Sequence, residues 1–156
     1  MVDNHSYSDL CAIIVAAEVP FLGSVGHQGF VKAAESLLDL TLPTLLAAAK
    51  NPNYADWTLV VTGHSLGGCT AQTLVLLLRH TGKQLAGTVG VDGDIEARAA
   101  QFLIRARCMA FAATAVAAPD LQQSPESLEL SVSVVCGYDM IPRLGKKFVS
   151  LFRQLI

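Results

Sequence analysis

Gly63-His64-Ser65-Leu66-Gly67 constrains this chain more than any other feature. It has G-x-S-x-G spacing, and its flanks supply a structural context. Trp57-Thr58-Leu59-Val60-Val61 precedes it, an apolar, β-branched run that predicts a buried strand. Gly68 to Arg79 follows and predicts a helix. A strand, a sharp glycine turn, a serine and a helix make a nucleophile elbow. Crowding is expected at Gly63 and Gly67, where a side chain would collide with the neighbouring strand or helix. Ser65 Oγ then stands at the carboxyl edge of the sheet, at the positive end of the following helix.

The rest of the chain alternates between strand and helix signals. Leu10 to Val19 is apolar without a clear period, so strand and helix both remain open. Pro20 to Gly29 reads as a loop. Phe30 to Lys50 has helical spacing, with Phe30, Ala33, Ala34, Leu37, Leu38 and Leu45 able to share a face. Pro43 is expected to kink or split that helix, and Asn51-Pro52-Asn53 to end it. The elbow helix is expected to stop near Gly82 as a C-cap, with a loop from Lys83 to Asp94. Ile95 to Arg107 predicts a helix, Met109 to Ala118 a buried strand stopped by Pro119, and Gln122 to Glu129 a turn or short helix. Leu130 to Cys136 predicts a strand, Gly137 to Pro142 a loop, and Leu144 to Ile156 an amphipathic helix with Phe148, Leu151, Phe152 and Leu155 on one side. This alternation implies an α/β fold, a mostly parallel sheet with helices on both faces. No internal repeat or linker divides residues 1–156, so the expectation is a single domain.

Composition excludes several classes. Hydrophobic residues make up 52% and charged residues 15%, which excludes disorder. A net charge of −2 leaves no footprint for nucleic acid. Arg143, Lys146, Lys147 and Arg153 form one basic cluster, read as a solvated helix face or as a weak attraction to anionic lipid. Cys11, Cys69, Cys108 and Cys136 lie far apart in apolar runs, which argues for buried thiols and against a metal site. No cofactor is called for. No apolar stretch reaches the length of a membrane span, and no basic segment precedes the short run at Leu10. The expected location is therefore intracellular or at a membrane surface.

A serine hydroxyl is a poor nucleophile until a histidine takes its proton, and that histidine needs an acid to fix its tautomer. The chain order in this type of fold is Ser, Asp, His. Two aspartates follow strands after the elbow, Asp139 and Asp120. Asp139 is preferred, in the tightly shaped Gly137-Tyr138-Asp139-Met140-Ile141-Pro142, and Asp120 reads as a turn or cap residue. No histidine follows Asp139. His64 adjoins the serine in the same turn and cannot fold back onto it. His80 lies roughly 22 Å along the elbow helix. His27 sits in a glycine loop and reads as structural, and His5 is near the amino terminus. The base is therefore missing. One oxyanion donor is the backbone N–H of Leu66; Gly23-Ser24 is a weak source for the second.

Three elements, in order, resemble the class 3 lipase family, and within it the diacylglycerol lipase-like branch. Gly26-His27-Gln28-Gly29-Phe30 is similar to the family's H-x-G-F/M element. Leu59 to Gly68 is similar to its elbow. Asp139-Met140-Ile141-Pro142-Arg143-Leu144 is similar to the D-x-V-P-R-(I/L) element that carries its acid. The resemblance implies an α/β-hydrolase-like fold and a serine hydrolase of acylglycerol or other lipid esters. Ser65 is the implied nucleophile and Asp139 the implied acid, with peripheral membrane contact possible. It also implies a chain truncated at both ends, with an incomplete core, because the family's R-G-T strand lies upstream and its catalytic histidine downstream. Residues 83–107 are longer than that branch usually carries.

Two other readings compete. A catalytically inactive, truncated relative would bind lipid or a protein partner, and the absent histidine favours it. Nucleotide binding rests on Gly63-x-x-x-Gly67-Gly68 alone, which is not the dinucleotide spacing.

Overall fold

The computed structural model describes residues 17–88 and 94–143. Most of the Leu10 run, and the helix expected from Leu144 onward, lie outside the described residues.

The expected loop at Pro20 to Gly29 is instead an antiparallel hairpin. Strand β1 (Glu18–Phe21) pairs with β2 (Ser24–His27) across Leu22 and Gly23. Both turn residues have positive φ, 48° and 80°. That is the primed turn whose twist matches two adjoining strands. The sequence pattern hid it because four-residue strands carry too few alternations to be read.

Helix α1 (Gln28–Lys50) follows directly and runs unbroken through Pro43. Proline at 43 forfeits one hydrogen bond, to the carbonyl of Asp39. Both residues are exposed, so water can satisfy that carbonyl and the helix continues. The buried face is Phe30, Val31, Ala34 and Ala49, with Leu38, Leu42, Leu45 and Leu46 partly buried. Ala33 and Leu37, expected on that face, are exposed. Asn51 ends the helix as predicted, and its side chain accepts the Asn53 N–H to cap a short 3₁₀ turn, Pro52–Tyr54.

Strand β3 (Val60–His64) lies later than the run that announced it. Trp57 is 62% exposed and Val60 56% exposed, so the expectation of a buried strand fails. Helix α2 (Leu66–Thr88) then continues past Gly82. Gly82 is no cap. A Cβ there would lie 2.8 Å from the Ala100 carbonyl oxygen and 2.9 Å from Ile104 Cγ1. Its bare backbone lets helix α3 (Asp94–Ile104) cross closely, and Lys83 to Thr88, expected as loop, belong to α2.

Strand β4 (Arg107–Phe111) pairs in parallel with β3, and β5 (Ser131–Val134) pairs in parallel with β4. The buried strand expected to reach Ala118 therefore ends at Phe111. Between β4 and β5 lie two short helices, α4 (Pro119–Gln122) and α5 (Pro125–Leu130). The Ser124 hydroxyl accepts the Ser127 N–H and caps the second.

The sheet order is β3-β4-β5. Helix α2 packs on β3 and β4, and α1 and α3 pack on α2. The core forms between these layers, with Val75, Leu78, Leu103 and Ala110 fully enclosed. Among the described residues the helices cover one face of the sheet. The other face carries Val60, Met109, Phe111, Val132 and Val134, each 38% to 57% exposed.

Candidate functional site

The carboxyl ends of the three parallel strands are where this architecture gathers chemistry. Each strand there gives way to a turn, and unpaired backbone groups face outward. Ser65 is the first residue after β3. Its φ of 52° is a left-handed angle that costs a non-glycine residue about 1–2 kcal/mol. The ladder continues one step past the strand, because the Ser65 N–H donates to the Phe111 carbonyl at 2.8 Å. The Ser65 carbonyl already accepts the Cys69 N–H at 3.0 Å. Ser65 is thus the residue on which strand geometry becomes helix geometry, and it is half-buried rather than enclosed.

Crowding at this turn falls on Gly63 and Gly68. A Cβ at 63 would fall onto the Gly67 carbonyl and lie 2.7 Å from the Gly68 nitrogen. A Cβ at Gly68 would lie 3.0 Å from the Gly63 oxygen and 3.1 Å from the Ala113 methyl. Gly67, expected to be equally constrained, would meet nothing within 4 Å. The motif names Gly67, but the close packing belongs to its neighbour. Sequence reasoning missed Gly68 because the G-x-S-x-G pattern does not include it.

Leu66 opens α2, so its N–H has no carbonyl one turn earlier to bond. Beneath it, Cys69 is buried, with its thiol against the Thr114 carbonyl at 3.8 Å. Burial pushes that thiol above its usual range, and pushes Cys108 up to about 11. Both are neutral packing groups. Cys136 is exposed, contrary to the buried thiol expected there.

Asp139 follows β5 at the same edge. Its N–H donates to the Cys136 carbonyl at 3.0 Å. Arg143 closes the loop, donating to the carbonyls of Asp139 at 3.2 Å and Gly137 at 3.1 Å. Every other residue from Val132 to Met140 is exposed, whereas Asp139 is half-buried. β4 lies between β3 and β5, the strands that lead to Ser65 and to the Asp139 loop, so those two strands are about 10 Å apart. Asp120 is placed elsewhere, in the first turn of α4, where it accepts the Ser24 hydroxyl at 2.8 Å and ties the hairpin to the region after β4.

The described histidines hold other positions. His64 ends β3 and is exposed, and His80 lies far along α2. His27 stacks on Phe30 at 4.4 Å, with both ring nitrogens shut away from solvent. Among the described residues no group of three or more His, Cys, Asp or Glu could hold a metal, and no helix is long and apolar enough to cross a membrane. An open groove of about 870 Å³ lies between the end of α1, the 3₁₀ turn and α3, lined by Tyr54, Arg98, Phe102 and Arg105 among others. It lies toward the amino ends of the strands, since Arg105 is two residues before the start of β4, and it holds neither Ser65 nor Asp139.

Comparison with known proteins agrees with this architecture. The family model described as Lipase (class 3) matches residues 6–148. A crystal structure of a lipase from Rhizopus microsporus var. chinensis superposes with a TM-score of 0.64 at 17% identity. The match covers 94% of this chain and 45% of that one, so this chain spans less than half the length of that lipase. No curated protein matches the sequence at a significant level.

Proposed function

We propose that this chain, which belongs to the class 3 lipase family, carries the nucleophile and acid of a serine hydrolase of acylglycerol esters. The observation that supports this most is Ser65 itself, a left-handed, half-buried serine between a parallel strand and the first turn of a helix. In the proposed reaction Ser65 Oγ attacks the ester carbonyl, and its proton passes to a histidine. The carbonyl oxygen gains charge beside the Leu66 N–H, where the positive end of α2 also favours it. The glycerol alcohol leaves with the proton, and water then releases the fatty acid by the same route. Asp139 orients the histidine and stabilises its charged form. That histidine is proposed to come from outside the described residues, because His64 adjoins Ser65 in the same turn, His80 lies far along α2 and the His27 ring nitrogens are shut away from solvent.

Tyr138, 98% exposed, and Met140, 58% exposed, flank Asp139. They support peripheral contact with a lipid surface at the edge where substrate would enter. The proposed substrate is a triacylglycerol or a diacylglycerol, and the likeness to the diacylglycerol lipase-like branch rests on the Gly26 to Phe30, Leu59 to Gly68 and Asp139 to Leu144 elements taken together.

A fluorophosphonate probe tests the central claim. Covalent labelling that disappears in Ser65→Ala, with hydrolysis of a short-chain diacylglycerol that disappears with it, is the expected result. A folded chain that takes up no probe favours the second reading, a non-catalytic lipid- or protein-binding relative. The placement of His27, His64 and His80 favours that reading.

A further inference from the structure

Ser65 is not the only strained residue at the carboxyl edge. Ala112, the first residue after β4, has the same φ of 52°. His64 and Phe111 are register partners, so Ser65 and Ala112 are the next residues on adjacent chains. One ladder joins them to β5. The Ala112 N–H donates to the Val134 carbonyl at 2.9 Å, and the Ser65 N–H donates to the Phe111 carbonyl at 2.8 Å.

The left-handed angle at 112 sends the chain across the first turn of α2. Ala113, 4% exposed, then sits against Gly68, and the Thr114 carbonyl faces the Cys69 thiol at 3.8 Å. Further on, the segment is fixed to the hairpin. The His27 N–H donates to the Val116 carbonyl at 3.0 Å, and the Ala118 N–H donates to the Val25 carbonyl at 2.9 Å. Ser65 and the start of α2 are therefore gripped between Gly63 on one side and residues 111–114 on the other.

We propose that Ala112 is a positioning residue for Ser65, its left-handed backbone holding residues 111–114 as a clamp on the elbow. The proposal deepens the hydrolase reading, but its principal test does not depend on catalysis. Valine at 112 raises the cost of the left-handed angle, because a β-branched side chain tolerates it worse than a methyl does. Ala112→Val therefore opens the clamp, while Ala112→Gly adopts the angle without steric cost.

Amide hydrogen exchange on the purified chain reads this directly. Ala112→Val is expected to speed exchange in residues 62–70 by about fivefold or more, with exchange in α3 changed less than twofold, and Ala112→Gly to restore the wild-type rate. If the wild type hydrolyses a short-chain ester, kcat falls by a similar factor in Ala112→Val while KM stays within twofold. Unchanged exchange in 62–70, or an equal rise throughout the chain, overturns the clamp. A wild type without hydrolysis or probe labelling counts against the hydrolase reading alone, and the exchange pattern still decides this one.

Discussion

Gly63 and Gly67 flank Ser65 evenly in sequence but unevenly in space. Gly63→Ala drives a methyl into the backbone of the next helical turn, and an overpacked site of this kind costs about 1–3 kcal/mol. Gly67→Ala meets open space and gains helix propensity, so it is expected to be neutral or to stabilise by up to about 1 kcal/mol. Thermal midpoints of the two variants check the asymmetry; equal losses would restore the two-glycine requirement of the motif. Cysteine chemistry separates by burial in the same way. Cys136 is expected to alkylate readily at neutral pH, while Cys69 and Cys108 resist until the chain unfolds, since burial keeps both thiols protonated. Peptide mapping after a timed iodoacetamide treatment reads the order.

Between elements, the joints are close backbone contacts and a small charge lattice. Gly82 lets α2 and α3 touch, and Gly82→Ala forces a methyl against Ala100 and Ile104. Helix propensity alone would make that substitution favourable by about 1 kcal/mol. The contact reverses the sign, and a lowered denaturation midpoint is the expected outcome. Glu126 on α5 meets Lys83 at 2.5 Å and Arg79 at 2.7 Å, both on α2. The hydrogen bond from Lys83 is the largest influence on its carboxyl; desolvation opposes it next, and the charges of Arg79 and Lys83 with the Arg79 hydrogen bond bring the net effect below the ordinary range. A lowered folded-state value stabilises above the unfolded value, about 4.3 for glutamate, and that contribution is lost as pH falls through the folded one. Glu126→Gln should therefore melt below the wild type at pH 7, with the gap closing under acid. A gap that persisted at the lowest pH would assign the loss to packing. The group is exposed enough for solvent to keep the effect small.

On the scale of the whole molecule, the described residues leave an apolar sheet face without a helix over it. Val132 and Val134 on that face are 57% and 40% exposed. Patches of this kind drive association, and a sheet with an open edge adds to it. Val132→Lys with Val134→Lys is expected to raise the monomer fraction of the chain on size exclusion. An already sharp monomer peak from the unaltered chain would show that the face is covered in solution.

The three parallel strands, the long helices α1 to α3 and the strand-turn-helix at Ser65 were legible in the sequence, because each rests on local chemistry. β-branched runs favour strands, leucines at helical spacing favour helices, and glycine with proline shapes turns. Asn51 ended α1 as its side chain predicts. Contacts between distant segments were not legible, for no local rule encodes them. The hairpin at 18–27 is fastened by hydrogen bonds to residues 116 and 118. Gly82 resembled a helix end until a second helix was laid against it, and Gly68 became the crowded glycine only once Ala113 was packed on it. Sequence thus determined which residues could stand at the carboxyl edge. Tertiary structure decided how firmly Ser65 is held there, because that depends on atoms more than forty residues away.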